Sequence, residues 1–291
     1  MTCRFIDGTA TAKNIRKNLV LRVAEFISKT GVVPSLTAIV VGNDPASKIY
    51  VKKKMLACQE VGINGQVLHV ATEDSDLLKW HLMDLNENQD CHAYILQLPL
   101  PKSLFADEYF SLFNPLKDVD VFHPENVGLL VQGRPRFRPC TPHGIQVMLH
   151  SNGIKVAGKK VVVINRSNVV GKPLSSMLIQ ECNEYANATV TVCHDHTPPD
   201  LLKEVTKTAD IVIVAVGKPG FLTADMVRPG VGVVDVGISR IDGKVVGDVH
   251  PEVYALAEWA TPVPGGVGPM TVAMLLENTL TAASLALQCE I

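Results

Sequence analysis

The sequence lacks most of the features that assign a chain to a class at once. No apolar run approaches the ~20 residues that span a bilayer; "VVPSLTAIVV" and "ADIVIVAV" are strand-sized. Neither charge predominates, since 27 Lys and Arg against 29 Asp and Glu leave a formal net charge of −2. That balance gives no electrostatic footprint for nucleic acid or an anionic membrane, and the basic run Lys52–Lys54 is too short to alter it. The N-terminal residues show neither a charged start followed by an apolar stretch and cleavage site nor an Arg/Ser-rich amphipathic presequence. There is no C-x-x-C: the seven cysteines (Cys3, Cys58, Cys91, Cys140, Cys182, Cys193, Cys289) are odd in number and scattered, as suits reduced thiols. The expectation is a soluble intracellular globular protein with no nucleic-acid or membrane partner. Its expected location is the cytoplasm, with an organellar address through some other signal left open.

What is present is a regular alternation. At 291 residues and 47% hydrophobic content, the chain predicts two domains with substantial cores. In the first half, "TAKNIRKNLVLRVAEFISKTG" places Ile15, Leu19, Val23, Phe26 and Ile27 on one helical side, and Gly31 stops the helix. "SLTAIVVG", "GQVLHV" and "CHAYILQLPLP" predict strands, with helices at Ser47–Lys54 and in "SDLLKWHLMDLNEN", where Leu77, Leu78, His81, Leu82 and Leu85 can pack. The pattern restarts after a linker expected within roughly 140–155, where turn residues gather. "GKKVVVIN", "ATVTVCH", "ADIVIVAVG" and "GVGVVDVG" predict strands, "KPLSSMLIQECNEY" a helix opened by Pro173, and "GPMTVAMLLENTLTAASLALQ" a long helix able to return to the first domain. Strands alternating with helices imply mostly parallel sheets covered on both faces.

The second half carries a strand, a short loop and a helix, a common seat for a dinucleotide phosphate. The loop "NRSNVVGKP" has one glycine, Gly171, and no G-x-G-x-x-G, so on its own an ordinary βα turn explains it equally well. Arg166 and Ser167 follow the strand directly, where a guanidinium and a hydroxyl can hold phosphate oxygens. Later strands end at Gly217, Gly220 and Gly237, where ligands bind in such sheets, and the balance favours a nucleotide site. "CHDH" holds Cys193, His194 and His196, but strand alternation would divide them between two faces, so no metal site is expected there.

Ser47, Tyr50 and Lys54 lie within roughly 60° of one another on a helix. The same helix offers Ile49, Met55 and Leu56 to a core, with Lys52 and Lys53 to solvent. A lysine on a partly buried face can serve as an acid or base; for this stretch alone, a solvated basic face with a packed tyrosine is the simpler reading. Gln97 enters a turn bounded by Pro99 and Pro101, and a buried glutamine is either structural or orients a ligand or base. Asp118 and Asp120 share a loop where aspartates either cap helices or accept N–H groups of a heterocycle. "TPVPGGVGPMT" permits close backbone approach at Gly265, Gly266 and Gly268.

Taken together, "IDGTATAKNIR", "VGNDPASKIYVKKK", "LQLPLP", "KDVDVFHPENVG", "PCTPHGI", "RSNVVGKP" and "TPVPGGVGPMTVAMLLENT" resemble the bifunctional methylenetetrahydrofolate dehydrogenase/methenyltetrahydrofolate cyclohydrolase family over nearly the whole chain. The resemblance implies two three-layer α/β domains with the active-site cleft between them. The first is a folate-binding catalytic domain over 1–147, joined by a C-terminal helix at 270–291. The second is a Rossmann-like NADP-binding domain with a mostly parallel sheet over 148–269. It further implies Lys54 as general acid/base, tuned by Ser47 and Gln97, and Tyr50 stacked on the p-aminobenzoyl ring. Asp120 would hold the pterin edge, and Pro264, Gly265 and Gly266 would pass close to the folate. Arg166 and Ser167 would grip the 2′-phosphate of NADP, with Gly171, Asp195, Gly217 and Ile238 completing the cofactor site. The implied activity is oxidation of 5,10-methylenetetrahydrofolate and hydrolysis of the methenyl product to 10-formyltetrahydrofolate, without metal, by a homodimer serving one-carbon metabolism and purine biosynthesis.

Three positions depart from that pattern. Val121 stands where glycine usually follows the second aspartate, implying a stiffened or shifted Asp120 loop. Asn165 replaces the glycine before "RS", implying altered backbone approach beside the adenosine. Asp195 and His196 replace a serine and a basic residue. A carboxylate there would repel a 2′-phosphate and could accept from a free 2′-OH, which leaves NAD as the alternative to NADP.

Overall fold

The computed structural model describes residues 2–71, 74–181 and 185–289. In chain order the elements are β1 (Arg4–Phe5), α1 (Gly8–Thr30), β2 (Ser35–Val41), α2 (Pro45–Val61), β3 (Asn64–Val70), α3 (Ser75–Glu87), β4 (Ala93–Leu96), α4 (Ala106–Phe110) and α5 (Pro124–Val131). They continue with α6 (Cys140–Ser151), β5 (Lys160–Ile164), α7 (Gly171–Leu178), β6 (Thr189–Cys193), α8 (Pro199–Thr208), β7 (Ile211–Val214) and β8 (Gly232–Asp235). The last are β9 (Ser239–Ile241), β10 (Lys244–Val246), β11 (Trp259–Ala260) and α9 (Val267–Ala286). Two compact units result, one of Lys13–Cys140 with Val272–Ile291 and one of Met1–Ala12 with Thr141–Thr271.

The first unit is built on a parallel three-stranded sheet in the order β3-β2-β4. Every residue of β2 is buried, Ser35 and Thr37 included, as suits a strand covered on both faces. Ile39, Val41, Leu78, Leu82, Tyr94 and Phe110 form one core cluster, and α3 reaches it through its Leu78, Leu82 and Leu85 face. Asp74 caps α3 by accepting from the Leu77 amide (2.8 Å), and a cap of this kind is worth about 1 kcal/mol. At the other end, Lys117 Nζ donates to the carbonyls of Leu85, Asn86 and Asn88, satisfying acceptors that a helix terminus leaves open. From α9, Asn278 Nδ2 donates to the carbonyls of Val119 and Arg138 (both 2.8 Å), tying that helix to the loop that carries Asp120.

The second unit holds a six-stranded parallel sheet in the order β1-β11-β8-β7-β5-β6. Strand order reverses at β5, whose sequence neighbours β6 and β7 lie on opposite sides of it. The loops leaving β5 and β7 therefore flank a topological switch point, where open α/β sheets bind ligands. β9 and β10 form a separate antiparallel hairpin. Residues 4–5, placed with the first domain by sequence, pair instead with β11 at the edge of this sheet.

Three local expectations change. The expected linker at 140–155 is largely helix α6: Pro142 lies in its first turn, where no amide bond is needed, and a Cβ on Gly144 would stand 2.9 Å from Met270 Cβ. Its turn-forming residues thus serve helix entry and close packing. The helix expected through "KPLSSMLIQECNEY" ends at Leu178, because the Leu178 and Gln180 carbonyls accept from Ala188 and Asn187 and turn the chain into β6. Cys182, Asn183 and Glu184 lie outside the described residues. On α2, Ile49 and Leu56 are exposed (40% and 55%), while Ser47, Val51, Lys54, Cys58 and Val61 are buried. The buried stripe of α2 takes in Ser47 and Lys54 beside Val51, Cys58 and Val61, so Ile49 and Leu56, two positions off that stripe, face out.

Candidate functional site

The side chains of the first unit converge on Lys54. Pro45 opens α2, and Asp44 caps it by accepting from the Ser47 amide (2.7 Å), which fixes Ser47 in the first turn and Lys54 two turns later. Lys54 is 9% exposed, and its Nζ donates to Gln97 Oε1 (3.0 Å). Gln97 follows β4 directly, and its own Nε2 donates to the Leu98 carbonyl (2.7 Å). That second bond fixes the amide so that oxygen, not nitrogen, faces the lysine. Ser47 is 3% exposed, and its Oγ finds no hydrogen-bond partner among the described residues. A buried hydroxyl in that state is an atom that a ligand or water completes. Tyr50 is half-buried one turn from Lys54.

Asp120 belongs to the same neighbourhood. Burial pushes the Cys140 thiol well above its ordinary range, the carboxylate of Asp120 adds to the effect, and Lys54 opposes it. Two charged groups from separate elements, Asp120 and Lys54, thus act on one thiol. The loop is shaped by Asp118, which is fully buried and accepts from the amides of Phe122 (3.1 Å) and His123 (2.8 Å) and from Asn126 Nδ2 (2.9 Å). Burial raises the Asp118 carboxyl, partly offset by those donors. Of the two loop aspartates, Asp118 takes up amides of its own loop, α5 being capped by His123 instead, and Asp120 stays half-buried. Val121 holds φ +66°, the left-handed region that a β-branched residue adopts only under strain, while its side chain is 2% exposed. The glycine-like turn persists without the glycine.

In the second unit the β5 loop is organised by Asn165. Its Oδ1 accepts from Ser167 N (2.8 Å), Ser167 Oγ (2.7 Å) and Gly171 N (2.9 Å), and its Nδ2 donates to the Ala215 carbonyl (2.5 Å) after β7. One side chain therefore stitches together the two loops of the switch point, which a glycine could not do. Gly171 opens α7, and a Cβ there would fall 2.1 Å from the Asn165 carbonyl oxygen, so only glycine fits. Arg166 is exposed and paired with Asp195 (2.6 Å). Gly217 holds φ +67° and is open over its Cα, with nothing within 4 Å of a Cβ built there. Ile238 is 45% exposed. Pro264 follows a cis bond; Gly265 accepts from the Thr9 amide (2.9 Å), and a Cβ on Gly8 would stand 1.9 Å from the Gly266 oxygen. Cys193 is buried as the last residue of β6, and His194 and His196 lie in the following turn rather than on the strand.

Two groups escaped the sequence reading. Asp248 Oδ2 accepts from Val216 N (2.6 Å) and Gly217 N (2.9 Å), shaping the glycine turn from beneath. Asp235 accepts from the amides of Gly237, Asp248 and Val249. Burial, reinforced by the nearby Asp248, nevertheless pushes its carboxyl up to about 6. Their only trace in the sequence is an aspartate inside an apolar strand end, in "VVDVG" and "VGDVH". Cys140 and Asn278 were likewise hidden among turn and helix residues.

Comparison with known proteins decides the family. Residues 6–120 match the catalytic domain of tetrahydrofolate dehydrogenase/cyclohydrolase, and residues 139–287 match its NAD(P)-binding domain. The chain belongs to the tetrahydrofolate dehydrogenase/cyclohydrolase family. Within it, the chain is 47% identical to the bifunctional protein FolD of Rhodopirellula baltica, over 98% of both chains. Among solved structures it is similar to the bifunctional FolD enzyme of Campylobacter jejuni, with 42% identity, TM-score 0.91 and coverage of 97% of this chain and 99% of that one. The methylenetetrahydrofolate dehydrogenase-cyclohydrolase of Trypanosoma brucei, solved with NADP and an inhibitor, is 34% identical with TM-score 0.92, covering 99% and 100%. The residues of this family member fit a dinucleotide. The Arg166–Gly171 loop opens a helix at the switch point, and Gly217 leaves open space at the end of the neighbouring strand.

Proposed function

We propose that the protein oxidises 5,10-methylenetetrahydrofolate to the 5,10-methenyl form with NADP and then hydrolyses that product to 10-formyltetrahydrofolate. The observation that carries the reading is the buried Lys54–Gln97 hydrogen bond beside an unpartnered Ser47 hydroxyl. Ring opening needs a group that takes a proton from attacking water and returns one to the departing nitrogen. Lys54 supplies it: an amine held in place by an acceptor that cannot itself titrate. Ser47 Oγ offers a further hydrogen bond to water or to the folate. Tyr50 presents a ring that can stack on the p-aminobenzoyl group. Asp120 accepts from the N–H edge of the pterin.

The first unit then houses the folate chemistry, and the second binds the dinucleotide. Arg166 and Ser167 face the adenosine phosphate, the start of α7 behind Gly171 and the open Gly217 turn take the pyrophosphate side, and Ile238 supplies an apolar contact. The bound dinucleotide supplies the hydride acceptor. The Trypanosoma brucei relative binds NADP, which supports that choice. The formyl product would enter one-carbon transfer, purine biosynthesis included. Two copies associate through their dinucleotide units, for which the edge strand β6 has an open side with Thr191 and Val192 exposed. The cytoplasm is the proposed location, a compartment that suits the thiols of Cys3, Cys58, Cys91, Cys140 and Cys193.

The test is absorbance at the reduced-nicotinamide and methenyl bands when purified protein meets 5,10-methylenetetrahydrofolate with NADP⁺. Reduction with transient methenyl accumulation is expected. Reduction that leaves the methenyl band to decay as it does in buffer would reduce the proposal to a dehydrogenase alone.

A further inference from the structure

β5 and β6 run side by side with Ile164 opposite Cys193, so Arg166 and Asp195 each stand two residues beyond paired strand ends. At this edge of a dinucleotide-binding sheet an acidic residue receives the ribose 2′-OH of NAD, whereas an arginine accommodates the 2′-phosphate of NADP. This chain carries both, joined to each other. Arg166 Nη2 donates to Asp195 Oδ1 at 2.6 Å. The turn that presents Asp195 is fixed: His194 N donates to Thr197 Oγ1 (2.9 Å), Thr197 N donates back to the His194 carbonyl (2.9 Å), and His196 N donates to His194 Nδ1 (3.2 Å). Slight desolvation acts upward on the Asp195 carboxyl, yet the guanidinium holds it below the usual range, so it is ionised at neutral pH. His196 Nε2 lies 3.5 Å from Asp195 Oδ2.

We propose that Asp195 is the cofactor-selecting residue: by occupying Arg166 it handicaps NADP and makes NAD a working cofactor of the same enzyme. This rests on the dinucleotide reading given above. A 2′-phosphate brings about two negative charges. To reach Arg166 it must part the guanidinium from Asp195 and then sit beside an ionised carboxylate. A 2′-hydroxyl does neither, since it donates to Asp195 while the ion pair stays closed. The chain therefore discriminates weakly between the two cofactors, because its arginine is already answered.

The experiment measures kcat and KM for NAD⁺ and NADP⁺ with 5,10-methylenetetrahydrofolate, and the Kd of each dinucleotide by calorimetry, in the wild type, Asp195→Ser and Asp195→Asn. In both variants the NADP-to-NAD ratio of kcat/KM should rise at least tenfold, through KM and Kd of NADP with kcat little changed. Asp195→Asn keeps an acceptor for the 2′-hydroxyl and should retain NAD binding, whereas Asp195→Ser should weaken it. A ratio unchanged within twofold in both variants overturns the proposal. If the wild type reduces neither dinucleotide, the dehydrogenase reading fails, and the Kd ratios still decide the role of Asp195. Binding of neither dinucleotide would overturn both.

Discussion

Lys54 and Arg166 are the two basic side chains on which the proposed chemistry turns, and their surroundings differ. Lys54 is almost wholly buried, paired with a neutral amide whose orientation is fixed by a second hydrogen bond. Arg166 is about half exposed and paired with a carboxylate that is itself open to solvent. An exposed ion pair of this kind contributes little to stability and rearranges readily. A buried amine on a fixed acceptor is held to one geometry, and its neighbours leave a hydroxyl unanswered. On the proposed function, the lysine site serves the reaction and the arginine site the choice of ligand. Substitutions in the first should change rate, and those in the second should change which cofactor binds.

The largest expected effect follows from the first half of this contrast. Lys54→Met removes the amine and keeps similar bulk, so methenyltetrahydrofolate hydrolysis should fall by roughly 10²-fold or more while folate binding stays measurable. Wild-type hydrolysis in that variant would remove Lys54 from the mechanism. In the second unit, Asp248→Ala leaves the Val216 and Gly217 amides without their acceptor. It should cost about 2–4 kcal/mol of stability by urea unfolding and weaken dinucleotide binding, because the glycine turn loses its support. An unchanged dinucleotide Kd would show that the turn holds its shape without Asp248.

A pH effect of similar size comes from Asp235. Its folded value of about 6 lies above the ordinary carboxyl value, so the folded state binds the proton more tightly than the unfolded chain does. The resulting stabilisation is full below about pH 4 and is lost as the pH rises through about 6, amounting to about 3 kcal/mol. The stability advantage of wild type over Asp235→Asn should therefore shrink between pH 4 and 7. A flat difference would mean that the three backbone donors, not burial, govern this carboxyl. The smallest effect is expected at Val121→Gly. Relief of left-handed strain returns about 1–2 kcal/mol, while loss of the buried side chain costs about 1.5–3 kcal/mol. Burial should win narrowly, and a gain in stability would reverse that order.

Legibility in the sequence followed the same division. The alternation of strands and helices was readable because parallel strands buried on both faces are written as apolar runs, as in β2 and β5. The face carrying Ser47, Tyr50 and Lys54 was readable from spacing. Its role as the buried face was not, because hydrophobicity pointed to Ile49 and Leu56, which are exposed. The helix across 140–151 was hidden because proline and glycine mark turns in sequence yet here serve a helix start and a close contact. Asp235 and Asp248 were invisible for a different reason. Their partners are backbone amides brought together only by the folded sheet, and no side-chain pattern records them. Asn165 showed itself as a departure, but its bonds to both switch-point loops are visible only in the fold.

The most direct test of the account separates its two regions by leaving one of them out. Hydrolysis of 5,10-methenyltetrahydrofolate is followed with purified wild-type protein and no dinucleotide, beside Lys54→Met and a buffer blank. The account predicts rapid decay of the methenyl absorbance with wild type and decay near the blank with the variant. Wild-type decay no faster than buffer, from folded protein, would contradict the claim that the buried Lys54 site is a cyclohydrolase centre.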